Sequence, residues 1–296
     1  MNRTLTAIAA EKDAGRRLKY FVRGDMGVSY GQFSALKQRN GLLLNGVCVH
    51  ANQILNPGDA VTVVLEDAPG EKAVAPEQGP VAIVYEDEDL VIIDKPAPLA
   101  CQCSPKQPEG TLENRLAWIY RDRPDFVFRP LNRLDRGTSG LMAAAMNAYA
   151  AQRLQRQLHT DQFVREYLAV TEGCMEGSGV IDAPISKEDA ATVRRVVDPA
   201  SGKPAVTHYR VERPGDRYSL VRLKLETGRT HQIRVHLSYL GHPIAGDFLY
   251  GTEDPRLPGR FALHSTRIRL VHPVSGEIIE KTSPLPEAME KILEEG

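Results

Sequence analysis

The chain has 296 residues, 42% hydrophobic and 25% charged, with a net charge of −1. No apolar run approaches the ~18 residues of a membrane span, and MNRTLTAIAAEKDAG is too briefly apolar for a secretory signal, so a cytoplasmic location without membrane contact is expected, with a monomer as the default. The near-neutral balance gives no global sign of a polyanion partner, but nucleic-acid binding needs only a local basic face.

From the N-terminus, residues 14–24 mix Arg16, Arg17, Lys19 and Arg23 with Leu18, Tyr20, Phe21 and Val22, which predicts a short helix. After a turn at 27–29, Ser29 can cap a second helix holding Phe33, Leu36 and Lys37, ended by Gly41. Leu42, Leu43 and Leu44 run into Asn45-Gly46, a strong tight-turn signal, with Val47 and Val49 beyond it. Pro57, Gly58 and Asp59 turn the chain into a strand over 60–65. DAPGEKAVAPEQGP (67–80) reads as a linker. It separates a small unit, 1–66, from a large one, 81–296.

The large unit opens with apolar runs at 81–84 and 90–93 around the acidic residues 86–89. A hairpin with a solvated turn is expected there, because the glycine and glutamate of a calcium loop are missing. Next come a helix over 112–120, a proline-containing loop over 121–130, and LNRLDRGTSG at 131–140. A buried strand over 141–146, a helix over 148–158 and a β-rich run over 163–170 follow. VRLKLE (221–226) alternates as a half-buried strand should, and TGRTHQIRVHLSYLG gives a turn, a helix and a C-cap at Gly241. Strands outnumber helices. The expected fold is therefore α+β, a large, mainly antiparallel mixed sheet preceded by a small α/β module.

Asp135 is the first residue to suggest chemistry. It stands between Arg133 and Arg136, ahead of the small residues Gly137, Thr138, Ser139 and Gly140. A carboxylate beside a guanidinium stays ionised and serves as a nucleophile or a fixed counter-charge; a lone loop aspartate is more often a cap or turn residue. Arg229 sits where a strand gives way to a helix, a favourable place for an anion and equally that of an ordinary loop arginine. His231 and His236 are five apart, the wrong spacing for a zinc pair on one helix face. Cys48, Cys101, Cys103 and Cys174 are scattered, so free thiols and no metal are expected. No phosphate loop, glycine-rich cofactor loop or nucleophile elbow is visible.

The small unit resembles the alpha-L RNA-binding motif in its helix pair, LLLNGVCV and NPGDAVTVVL. That resemblance implies that Arg16, Arg17, Lys19, Arg23, Lys37 and Arg39 face RNA phosphate. LNRLDRGTSGL, REYLAV and LETGRTHQIRVHLSYLGHPIAGDFLYG resemble, in order and spacing, the signature segments of the RluA-type RNA pseudouridine synthases. So do EDEDLVIIDKPA before them and FALHSTRIRLVHPVSGE after them. The resemblance implies the pseudouridine synthase fold over 81–296 and isomerisation of uridine in RNA, with large-subunit rRNA preferred and tRNA as the second candidate. It implies Asp135 as nucleophile, Tyr167 stacking on the target base, and Arg229 paired with Asp135. Arg133 and Arg136 would meet RNA, Arg133 helping to expel the target nucleotide. No cofactor is expected, since the isomerisation adds no atoms. Ile233 and Leu263 are candidate wall residues. Asn132 and Pro98 depart from the family's usual histidine and glycine. The competing expectation is a non-catalytic RNA-binding or ribosome-assembly protein on the same fold.

Overall fold

The computed structural model describes residues 3–67, 74–123, 125–158, 160–189 and 191–294. The small unit holds β1 (Arg3–Ile8), a 3-10 turn (Glu11–Asp13), α1 (Leu18–Gly24), α2 (Tyr30–Gln38), β2 (Leu42–Leu44), β3 (Val47–Cys48) and β4 (Ala60–Leu65). Its sheet runs β1-β4-β2-β3, and Leu18, Phe21, Val22, Phe33, Leu36, Val61 and Val63 form its core. Ser29 caps α2 reciprocally. Its Oγ accepts from Gln32 N at 3.3 Å, while its own N–H donates to Gln32 Oε1 at 3.1 Å. The left-handed residue after α2 is Asn40 (φ 54°), one position before the glycine expected to end it. Gly41 is required for closeness instead, since a Cβ there would lie 2.9 Å from Val64 O. Asn45 and Gly46 take the positive φ values, 51° and 82°, of the expected turn. Strand β1 was not anticipated; it pairs antiparallel with β4 from Arg3↔Leu65 to Ile8↔Ala60.

The large unit begins with β5 (Ala82–Glu86), β6 (Leu90–Lys95), α3 (Leu112–Ile119), β7 (Arg129–Pro130), β8 (Ser139–Ala145), α4 (Ala148–Gln155) and β9 (Val164–Glu172). It continues with β10 (Ser178–Asp182), β11 (Ile185–Lys187), β12 (Arg195–Val197), β13 (Val206–Arg213), β14 (Tyr218–Leu225) and α5 (Gln232–Tyr239). It ends with β15 (Leu263–Val271), β16 (Ile278–Thr282) and α6 (Glu287–Glu294). Strands β10-β13-β14-β9-β15-β8-β6-β5 form one sheet in that order, with β16 on β15 and β7 on β8. Every pairing is antiparallel except β15 with β8.

Helices α3, α5 and α6 pack Leu116, Leu237 and Ile292 into the main core, and α4 adds Leu154 to a second core. Every residue of β8 is buried, as a strand covered on both faces must be. The parallel contact sets His264 beside Ser139 and Ser265 beside Gly140. A Cβ on Gly140 would lie 2.3 Å from Ser265 O, at a φ of 105°, so only glycine lets β15 approach the loop that carries Asp135.

The acidic turn differs from expectation. Asp89 is 1% exposed and receives two N–H bonds from Arg3 of β1, at 2.9 and 2.8 Å. Asn147 Nδ2 donates to the same carboxylate at 2.8 Å. The turn is thus a joint between the two units rather than a solvated loop. Tyr149 OH, donating to Met26 O at 2.6 Å, adds to that joint. Residues 68–73 of the expected linker lie outside the described residues. The part after them is docked on α3, where Asn114 Nδ2 donates to Ala75 O and Arg115 Nη1 to Pro80 O, both at 2.9 Å.

Candidate active site

Asp135 sits in the loop between β7 and β8. Its Oδ2 accepts from Arg234 Nη1 at 3.0 Å. Arg234 lies in α5 and is 3% exposed. Its other edge is clamped by the fully buried Asp247, with Nε to Oδ2 at 2.7 Å and Nη2 to Oδ1 at 2.8 Å. Asp247 Oδ1 also accepts from the backbone N–H groups of Leu249 and Tyr250, at 3.0 and 3.3 Å. The guanidinium carbon stands 4.2 Å from the Phe261 ring centre and 4.9 Å from that of Tyr250. Burial pulls the Arg234 pKa down, but Asp247 and Asp135 more than reverse this and raise it. The result is a charged, buried guanidinium clamped on one edge by Asp247 and bonded on the other to a 29% exposed carboxylate.

Around this pair lie Arg133, Leu134, Thr138, Tyr167, Leu225, Arg229, His231, Ile233 and Leu263, which line one pocket with Asp135 and Arg234. Tyr167 enters from β9, opposite Ser265 of β15 and Leu223 of β14. Burial holds its phenol pKa up, with Arg165 partly opposing, so the hydroxyl keeps its proton. His231 is the left-handed N-cap of α5, at a φ of 59°. Its Nδ1 meets Tyr250 OH at 2.9 Å, and its Nε2 lies 4.0 Å from Asp135 Oδ2. Burial lowers its pKa, against the pull of Asp135, which favours the neutral ring. Behind the loop, fully buried Lys95 donates to Leu99 O at 2.7 Å, Pro96 O at 3.1 Å and Arg136 O at 3.5 Å. Burial pushes its pKa down to about 8. Asn132 Oδ1 accepts from Ala143 N at 3.0 Å, so this departure from the family pattern still ties the loop to β8.

The expected ion pair between Arg229 and Asp135 is not formed. Arg229 Nε donates to Pro204 O at 2.9 Å, its side chain is exposed at the pocket rim, and Arg234 holds the carboxylate. The physical reason is depth: a helix-borne arginine inside the core reaches Asp135, whereas the loop arginine is turned outward. Arg133 and Arg136 are exposed, and Arg133 lines the pocket. Ile233 and Leu263 belong to the main core and also line this pocket. In the small unit, Arg17, Arg23 and Lys37 are exposed and Lys19 is half-buried. Arg16 is taken up by Asp13 and Asp25 at 2.9 and 2.7 Å, and Arg39 by Glu66 at 3.0 Å. All four cysteines are free. His236 is bound to Thr207 Oγ1 and Ala183 O, at 2.8 and 2.9 Å. Sequence reasoning missed Arg234, Asp247, His231 and Lys95. The one weak signal was a charged residue between the apolar Ile233 and Val235.

The chain matches the model of the RNA pseudouridylate synthase family over residues 89–239. It is 37% identical to ribosomal large subunit pseudouridine synthase D of Escherichia coli, over 98% of this chain and 93% of that protein. It is 36% identical to an uncharacterized RNA pseudouridine synthase of Bacillus subtilis, over 98% of this chain and 96% of that protein. Among solved structures it resembles human RNA pseudouridylate synthase domain containing 1, at 28% identity and a TM-score of 0.57, covering 74% of this chain and 96% of that one. The family match spans Asp135, Tyr167 and Arg234, and the chain belongs to the RluA-type RNA pseudouridine synthases, isomerases that make pseudouridine in RNA.

Proposed function

We propose that Asp135 is the nucleophile of the isomerisation and that the substrate is a uridine of large-subunit rRNA. The observation that carries this is the Asp135–Arg234 pair, a carboxylate held by a buried guanidinium in a pocket walled by Tyr167, Ile233 and Leu263. The name of the Escherichia coli relative supports rRNA over tRNA. The uridine must leave its stack before its sugar can be reached. Arg133, exposed at the rim, takes the vacated place, and Tyr167 stacks on the flipped base, worth about 1–3 kcal/mol.

Asp135 then attacks the ribose C1′. A carboxylate–C1′ bond forms as the C1′–N1 bond breaks, and the electron pair leaves with the uracil. The base turns, its C5 attacks C1′, and the carboxylate departs. The proton on C5 is lost while N1 gains one, so atoms and charge balance without a cofactor. We assign the C5 proton to the Tyr167 hydroxyl. Being neutral, this group passes its own proton on towards N1, which gains one, as it accepts the proton from C5. Arg234 keeps Asp135 aimed, and the apolar walls exclude water that would hydrolyse the sugar intermediate. The small unit holds RNA through Arg17, Lys19, Arg23 and Lys37 beside the exposed Tyr20 and Tyr30, as a monomer in the cytoplasm.

The test is release of tritium from C5 of uridine in unmodified rRNA and, separately, tRNA, by wild type and Asp135→Asn. Release from rRNA by wild type alone is the expected result. Release by both proteins removes Asp135 from its role; binding without release by either favours a non-catalytic RNA-binding protein.

A further inference from the structure

Arg165 lies on β9, two residues before Tyr167, and the mechanism above does not use it. It is 7% exposed. Its Nε is buried without a hydrogen-bond partner, and among the described residues its guanidinium meets no carboxylate. Its contact with the Phe163 ring, 5.5 Å from guanidinium carbon to ring centre, is mainly packing. Neighbouring cations are compensated: Arg222 and Arg267 share Glu166, and Arg234 has two carboxylates. Burying most of a guanidinium with its Nε left unpartnered is unfavourable. Such a group is expected where a ligand completes it.

Its surroundings identify the ligand. Alternate residues of a strand share a face, so Arg165 and Tyr167 stand side by side, separated by roughly 6.6 Å of strand. The register that pairs Leu223 with Tyr167 and Lys224 with Glu166 carries Leu225, a wall of the Asp135 pocket, next to Arg165. A Cβ on Gly228 would lie only 3.5 Å from Arg165 Nη1, so the guanidinium reaches the loop between β14 and α5 where no side chain covers it. This is the rim that Arg229 shares.

We infer that Arg165 anchors a phosphodiester group of the strand carrying the target uridine, forming a phosphate subsite beside the base site at Tyr167. This rests on RNA being the substrate. Phosphate is the anionic group of RNA, and a guanidinium fork matches its oxygens two at a time.

The test uses the full chain with Arg165→Met and Arg165→Lys. Methionine keeps an unbranched stem against Phe163 and removes the charge. Without RNA, Arg165→Met is expected to melt at or above the wild-type temperature, because an uncompensated buried charge is gone. Its affinity for rRNA is expected to fall about tenfold or more. The slope of log affinity against log salt should become shallower by roughly 0.7–0.9, the share of one phosphate contact. Arg165→Lys should restore most of that slope. An unchanged slope in Arg165→Met overturns the inference, whatever its melting temperature. A lowered melting temperature with an unchanged slope makes Arg165 a core residue. Wild type that neither binds nor isomerises either RNA defeats the proposed function instead; an active wild type with an unaffected Arg165→Met defeats only the phosphate subsite.

Discussion

Replacing Asp247 by asparagine tests whether the Asp135 carboxylate is aimed from the core. Asparagine keeps an oxygen for the Leu249 and Tyr250 N–H groups, so the local turn is preserved. It removes the charge facing Arg234 and sets an amide N–H₂ against a guanidinium N–H. Arg234 is 3% exposed and Asp247 0%, and breaking a buried pair from one side costs about 3–5 kcal/mol. A unit of this size loses about 2 °C per kcal/mol, so the melting temperature should drop by roughly 6–10 °C. The remaining folded protein should release tritium at least ~100-fold more slowly, because Arg234 can turn away from Asp135 and misplaced groups lose about that much rate. Thermal melts and single-turnover tritium release measure the two effects. Asp247→Asn with a melting temperature within about 1 °C of wild type and full activity would show that the Phe261 and Tyr250 rings hold Arg234 unaided, and would refute the clamp.

Arg229→Ala should leave the melting temperature nearly unchanged, within about 0.5 kcal/mol of stability, and weaken RNA binding without moving the saturating rate; loss of single-turnover rate would return Arg229 to the Asp135 pair. Gly140→Ala should abolish soluble folded protein, because its Cβ would stand 2.3 Å from a backbone oxygen; a melt like that of wild type would contradict the tight β8–β15 contact. Tyr167→Phe keeps the stacking ring, so RNA affinity should hold while product formation drops by about 10²–10⁴; product formation near the wild-type rate would take the C5 proton away from the hydroxyl. Lys95 titrates near 8 in the folded chain against 10.5 for a free lysine, so between these values the unfolded chain holds the extra proton and stability rises with pH. Urea titrations should show wild type gaining on Lys95→Met by about 1.4 kcal/mol per pH unit across that window, and a constant gap would mean that Lys95 is not depressed.

What the sequence made legible was what neighbours in sequence decide. The Asn45-Gly46 turn, the Ser29 cap and the strand after Pro57-Gly58-Asp59 each depend on a few adjacent residues, and each formed where expected. Strand β1 depends on β4, more than fifty residues away, and a six-residue alternation alone is a weak signal. Asp89 looked solvated because its hydropathy was read without Arg3, 86 positions earlier.

Arg234 was hidden for a different reason. Residues Gln232 to Leu237 of α5 are all buried, so the helix has no polar face from which a buried charge would stand out. Local signals left Arg229 undecided and the family resemblance chose it; the exposed rim is where that arginine stays. A buried arginine must find compensation, and Asp247, within the GDFLYG segment, was the residue to look for. With both ends of Arg234 tied to carboxylates, the orientation of Asp135 is set from a helix packed in the core as well as by the loop on which Asp135 sits. The proposed attack on a sugar carbon needs that division: the carboxylate on a loop that RNA can reach, and its charge partner on an element that RNA cannot move.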